Sequence, residues 1–391
     1  MSDMISDITG LIASEVFGEK WESKRNALLT QEYLEELFSV ARAHDVAPIL
    51  ASALIRQKLL PDESPIKAKW IEAQMSAIYR YARLDYEAQR IFALFEERKI
   101  PFIPLKGAVI RNFYPEAYLR TSCDVDVLIQ KEDLERAKAA LVEGLGYAPV
   151  ATKETSLDIS FTSPGGVMLE LHYALIAERR LPAANKILSR VFEKATPRDG
   201  FSYYLEMQPE VFMLYHVAHM AKHFVNGGCG IRSYIDLYLL TRSFSYDKER
   251  FLSLLKKADL ESFYLACMDL CAVWFAGKES GALSQRMEAF VFFGGAYGSM
   301  KNHIAVKGAK GKSKLSIWLR IIFLPRRNLE ILYPQLRENP NFLWMYQIRR
   351  WCGVFKKEKR QKIKDRSEAS RAITRENQEE IRGLLQELEL V

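Results

Sequence analysis

Residues 124–129 read Asp-Val-Asp-Val-Leu-Ile. On a strand, successive side chains face opposite ways, so Asp124 and Asp126 share one face while Val125, Val127 and Ile129 occupy the other. The fold must therefore bury one face of this strand and hold two like charges side by side on the other. Two carboxylates at that spacing repel unless positive charge lies between them. A divalent cation with oxygen ligands, Mg²⁺ or Mn²⁺, supplies it. A solvated strand edge is the plain alternative for so short a pattern.

The surroundings sharpen the reading. Ile103-Pro104-Leu105 leads into Lys106-Gly107, and Ala108 to Phe113 carries a short helical pattern. A strand that closes on a glycine turn and opens a helix offers backbone N–H groups to phosphate. Lys106 adds a point charge there. Residues 157–173 read as a hairpin, two alternating runs separated by Ser163-Pro164-Gly165-Gly166. Glu170 and His172 share one face of the second run, Leu169 and Leu171 the other. If that strand lies beside residues 124–129, Glu170 completes a three-carboxylate site of the kind that holds two metal ions during phosphoryl displacement. By position alone, Glu170 equally suits a surface partner for a lysine.

Further polar groups lie outside this segment. Val211 to Phe224 is mostly apolar and carries His216, His219 and His223 at i, i+3 and i+7, roughly one helical face. One helix cannot close a tetrahedral zinc site with three ligands over two turns. The histidines more readily face a cleft or belong to the core, with a metal role the weaker third alternative. Arg232 and Asp236 lie one turn apart and can pair, or either can line a nucleotide pocket. Arg120, four residues before Asp124, suits a bidentate phosphate contact or a structural ion pair.

The pattern along the chain changes near residue 96. Residues 1–95 look helical, with apolar spacing of three and four over Glu32 to Arg42 and Ser76 to Phe95, and with Pro61 and Pro65 as breaks. Residues 96–180 hold short strands and one clear helix, Glu132 to Leu145, closed by Gly146. Residues 181–299 return to helix, and residues 300–391 form a basic, mostly helical C-terminal region. Residues 300–316 read as a linker rich in Lys, Gly and Ser. Its Gly308-Ala309-Lys310-Gly311-Lys312-Ser313 is not a P-loop, because two residues separate the glycines where four are needed. The end of the chain is amphipathic through Ile381, Leu384, Leu385 and Leu388.

With 391 residues, 49% hydrophobic and 12% aromatic, the chain belongs among folded globular proteins, not disordered ones. It has no apolar run of the roughly 18 residues that a membrane span requires. It opens Met-Ser-Asp-Met-Ile-Ser-Asp, with acids where a signal peptide carries bases, so a cytoplasmic location is expected. Five scattered cysteines exclude a disulfide framework; Cys267 and Cys271 read as core. Residues 301–391 carry 21 Lys and Arg against 10 Asp and Glu, so +11; the whole chain is +7, which leaves −4 for residues 1–300. The densest basic cluster, Lys356 to Lys364, suits a polyanion such as RNA, or simply a solvated helix.

The order Leu105-Lys106-Gly107, Tyr114-Pro115, Arg120, Asp124-Val125-Asp126-Val127-Leu128-Ile129, Leu145-Gly146-Tyr147 and Glu170-Leu171-His172-Tyr173 resembles the uncharacterised nucleotidyltransferase family of the polymerase-β-like superfamily. His219 to His223 with Arg232 and Asp236 is similar to its second helical segment, and Phe323-Leu324-Pro325 with Tyr333-Pro334 to its C-terminal part. Lys106-Gly107 stands where the superfamily usually has a glycine-serine pair. Glu170 and Tyr173 stand where this branch often has Asp and Trp.

The resemblance implies an α+β fold, a small mixed-sheet nucleotidyltransferase core embedded in mostly helical N- and C-terminal regions. It implies metal-dependent transfer of a nucleoside monophosphate from a nucleoside triphosphate such as ATP to a hydroxyl acceptor. Asp124, Asp126 and Glu170 would be catalytic and hold Mg²⁺ or Mn²⁺. Lys106, Gly107, Arg120, His172, His219, His223, Arg232 and Asp236 would bind the nucleotide. RNA, protein and small molecules all remain open as acceptors, as does the oligomeric state. The alternative is a catalytically inactive nucleotide-fold sensor, or an RNA-binding protein that uses the basic C-terminal region.

Overall fold

The computed structural model of the chain describes residues 2–20, 30–150, 157–295, 335–352 and 374–391, with isolated positions between 302 and 333. Four helices come first: α1 (Ser2–Phe17), α2 (Gln31–Ala43), α3 (Ala47–Arg56) and α4 (Pro65–Glu97). Thr30 caps α2 by accepting from the Tyr33 N–H. Pro65 does not break the pattern. It occupies the first turn of α4, where its missing N–H costs nothing. At 33 residues, α4 is about 50 Å long. Its first half adds Ile66 and Trp70 to the helical core; its second half adds Leu84, Ala88, Ile91 and Phe95 to the core beneath the sheet.

The sheet follows: β1 (Phe102–Pro104), the single turn α5 (Gly107–Ile110) with a 3₁₀ turn at Arg111–Phe113, β2 (Asp124–Ile129), α6 (Leu134–Leu145), β3 (Ala148–Pro149), β4 (Asp158–Thr162) and β5 (Met168–His172). Its order is β1-β2-β5-β4-β3. β2 and β5 run parallel and all other pairs antiparallel, which makes the sheet mixed. The alternation in β2 works as the sequence implies. Val125, Val127 and Ile129 pack with Leu169, Leu171 and Phe161 against α4 and α6, while Leu128 faces the opposite core with Ile103 and Leu105. Asp124, Asp126, Glu170 and His172 therefore lie on the face turned toward the helical core.

After α7 (Pro182–Leu188) and a small ribbon, β6 (Thr196–Pro197) with β7 (Leu205–Glu206), come α8 (Pro209–Phe224), α9 (Ile231–Ser243), α10 (Lys248–Lys257), α11 (Glu261–Ala276) and α12 (Ala282–Gly294). The hydrophobic core of these helices is continuous with that of α1–α3. Later helices are α13 (Gln335–Glu338), α14 (Leu343–Cys352) and α15 (Arg375–Glu387). The amphipathic end docks on the main core through Leu384, Leu385 and Leu388. Cys267 and Cys271 are buried. The basic cluster at 356–364 and almost all of the 300–316 segment lie outside the described residues.

Candidate active site

Backbone pairing positions the first group. Beyond β1, the Leu105 N–H donates to the Asp126 carbonyl at 3.0 Å, which draws the next residue alongside β2. That residue, Lys106, has φ +34°, a left-handed value rare outside glycine. Its Nζ donates to Asp126 Oδ1 at 3.1 Å. The parallel register places Asp126 opposite Glu170 and Leu128 opposite His172. His172 Nε2 lies 2.8 Å from the same Asp126 oxygen and 3.5 Å from Glu170 Oε2. One buried carboxylate thus receives the Lys106 ammonium from the turn after β1 and the His172 imidazole from β5.

The charges settle accordingly. Burial disfavours the Lys106 charge, but Asp126, Tyr215 and Asp124 outweigh it and hold the ammonium ionised. Burial also works against ionised Asp126, yet Lys106 and His172 keep its carboxyl well below the usual range. Glu170 is held low by its hydrogen bond with His172. The His172 imidazole, despite its burial, is pushed up by Asp126 and Glu170. Asp124 moves the other way, to about 6, through burial and the repulsion of Asp126 and Glu170.

A buried framework braces the turn. Arg111 Nε donates to the Gly107 carbonyl at 2.5 Å and its other arm to Ser122 Oγ at 2.8 Å. Arg120 donates through two nitrogens to Asp236, at 2.8 to 3.2 Å, and Tyr114 Oη donates to the same carboxylate at 2.8 Å. A Cβ at Gly107 would lie 3.1 Å from Arg120, 3.2 Å from Arg111 and 3.3 Å from Ser122, so glycine is what lets both guanidinium groups close on the turn. Sequence reasoning missed Arg111. Its helical neighbours give no hint that it turns back onto Gly107.

The one-turn spacing of Arg232 and Asp236 does not pair them. Asp236 is taken by Arg120, so between the two alternatives open for Arg120 the geometry gives the ion pair. Arg232 instead pairs with Asp45 and donates to the Thr121 carbonyl at 2.8 Å. It still acts on the site, because its charge favours ionised Asp124.

Helix α8 crosses the same face. The Tyr215 hydroxyl lies close enough to Lys106 to be electrostatically coupled to it. His219 and His223 meet through their Nε2 atoms at 3.1 Å. His219 is held well below its ordinary pKa by burial and by the Lys106 charge; His223, at about 4, by burial and Lys222. Both imidazoles are neutral at pH 7 and near the lysine. His216 turns away to the Ser233 carbonyl, 3.0 Å distant, in the core. The three histidines therefore do not act together.

Asp126, Glu170 and His172 present ligand atoms all within 4.8 Å of one another. His172, placed by sequence among the nucleotide contacts, joins this cluster, and Asp124 stands just outside it. The donor set suits a divalent cation. It is rich in hard carboxylate oxygens, and Asp124 is crowded by its neighbours in a way that a bound cation relieves.

The mixed sheet thus carries carboxylates on two adjacent parallel strands, with a lysine from the turn after β1 held against Asp126. The chain belongs to the family described as uncharacterised nucleotidyltransferase, which matches it over residues 31–276. None of the curated proteins matches it. Among solved structures, the solution structure of the antibiotic-resistance factor ANT(2'')-Ia is similar to part of the chain, at 16% identity and a TM-score of 0.32, over 46% of this chain and 92% of that one. That similarity is too distant to align functional residues.

Proposed function

We propose that this protein transfers a nucleoside monophosphate from a nucleoside triphosphate to a hydroxyl acceptor, with a divalent metal held by Asp124, Asp126 and Glu170. The observation that carries the reading is the register of Asp126 against Glu170, with Lys106 and His172 converging on the Asp126 carboxylate. When bound, Mg²⁺ or Mn²⁺ supplies Lewis-acid stabilisation of the phosphate charge.

The chain's own groups do the rest. Lys106, kept charged by its neighbours, binds the triphosphate and stabilises the pyrophosphate as it leaves. Glu170, ionised beside His172, accepts the proton of the acceptor hydroxyl. The acceptor oxygen bonds to the α-phosphorus, and the bond from that phosphorus to the bridging oxygen of pyrophosphate breaks. His172 orients both carboxylates. Neutral His219 and His223 offer hydrogen bonds to the bound nucleotide. Arg120, paired with Asp236, packs against the Gly107 turn and supports it, and Arg232 steadies the approach to Asp124.

The test is label transfer. Purified protein is incubated with each α-³²P nucleoside triphosphate, Mg²⁺ or Mn²⁺, and lysate separated into RNA, protein and small-molecule fractions. Label in one fraction, absent with the Asp124→Ala/Asp126→Ala protein, supports the reading and gives the acceptor class. Nucleotide binding without any transfer favours a sensor instead.

A further inference from the structure

A cavity of about 550 Å³ opens between α2, the start of α3, α4 and Thr121, outside the cluster described above. Arg42, Lys69 and Arg80 line it, together with Asp45 and Glu72. Asp45 is already committed to Arg232. Lys69 has only a 3.8 Å approach to Glu35, and Arg42 lies over the Phe38 ring at 5.9 Å. Among the described residues, Arg80 makes no ion pair. Three cations thus face one uncommitted carboxylate.

The wall of the cavity is also tied to the segment that leads into β2. Thr121 Oγ1 donates to the Asp45 carbonyl at 3.1 Å, and Arg232 joins both residues. Thr121 lies three residues before Asp124. The back wall of the cavity is therefore hydrogen-bonded to the segment that delivers the first aspartate. Its volume fits a small molecule, and its charge suits phosphate or carboxylate, which arginine binds well.

We propose that this cavity holds the acceptor, and that the acceptor is an anionic small molecule with a free hydroxyl, phosphorylated or carboxylated. The proposal rests on the transferase reading above. Arg42 and Arg80 grip the anion while the hydroxyl points past Thr121 toward Asp124.

The experiment uses the full chain, Mg²⁺, an α-³²P nucleoside triphosphate and four acceptors: a sugar phosphate, a hydroxycarboxylate, a polycationic amino sugar and a short RNA with a free 3′-hydroxyl. Label is expected on one of the two anions, and which one separates phosphate from carboxylate. Arg42→Ala and Arg80→Ala are each expected to raise the acceptor KM about tenfold with the nucleotide KM unchanged, the size of one lost charge-assisted contact. Both side chains are exposed, and equal melting temperatures check that the variants fold.

Label only on the amino sugar or the RNA, or an anion KM indifferent to both substitutions, overturns the pocket and leaves the transferase reading intact. If no acceptor is labelled, calorimetric titration of the sugar phosphate and the hydroxycarboxylate decides. Binding lost in the arginine variants keeps an anion site here but overturns its role as the acceptor site; no binding to the intact protein overturns the site altogether.

Discussion

Arg120 and Asp236 form a doubly hydrogen-bonded ion pair, with side chains only 7% and 2% exposed, that ties the approach to β2 to helix α9. Removing one partner leaves a buried charge uncompensated. Asp236→Ala is expected to lower unfolding free energy by about 3–5 kcal/mol. Urea denaturation measures it, and replacing both partners together with Met and Leu is expected to recover part of the loss.

The turn that this pair supports has little slack. Gly107→Ala puts a methyl group at 3.1–3.3 Å from Arg120, Arg111 and Ser122. The guanidinium groups must give way, and the expected cost is about 1–3 kcal/mol. Activity is expected to fall further than stability, because Lys106 moves with the turn. Thermal melting together with kcat/KM separates the two effects.

In the proposed reaction, Lys106 meets the charge that develops on pyrophosphate. Lys106→Met is expected to reduce kcat by about 10²–10³, the usual size of losing one aligned electrostatic stabiliser. It also leaves Asp126 with His172 as its remaining side-chain partner. Single-turnover kinetics at saturating nucleotide check this. An unchanged kcat with a raised nucleotide KM would assign Lys106 to ground-state binding alone.

His44 gives the protein an acid-sensitive core. Burial holds its imidazole at about 4, against an ordinary 6.5, although the nearby Phe292 backbone works the other way. Above pH 6.5 both folded and unfolded chains keep it neutral, and its contribution to stability is intact. Between pH 6.5 and 4 only the unfolded chain takes up the proton, so stability is lost as pH falls, by on the order of 3 kcal/mol. His216, His219 and His223 are lowered too and add to the same trend. Chemical denaturation at pH 7 and pH 5 is expected to show the loss, and His44→Leu to show a smaller one.

Local chemistry made part of this molecule readable. The apolar–acidic alternation of 124–129 matches β2 residue for residue, and the Pro-Gly-Gly turn sits between β4 and β5. Gly146 at φ +68° ends α6 where glycine was expected to stop the helix. Other features depended on distance in sequence. Arg120 and Asp236 lie 116 residues apart, so neither residue type nor spacing could join them. Arg232 was drawn to Asp45, 187 residues away, in preference to its neighbour one turn on. The helix after Lys106 lasts a single turn before tightening to 3₁₀ at Arg111, whose side chain folds back onto Gly107. Pro65 reads as a break or a start with equal ease until the residues before it are seen to be extended, as Ser64 is.

The most direct measurement compares α-³²P with γ-³²P nucleoside triphosphate in one reaction, using wild type and Asp126→Asn. Nucleotidyl transfer at the Asp126–Glu170–Lys106 cluster is expected to leave the α label on the acceptor and release the γ label as pyrophosphate, with both signals lost in Asp126→Asn. A γ label on the acceptor, or undiminished α transfer by the Asp126→Asn protein, would contradict it.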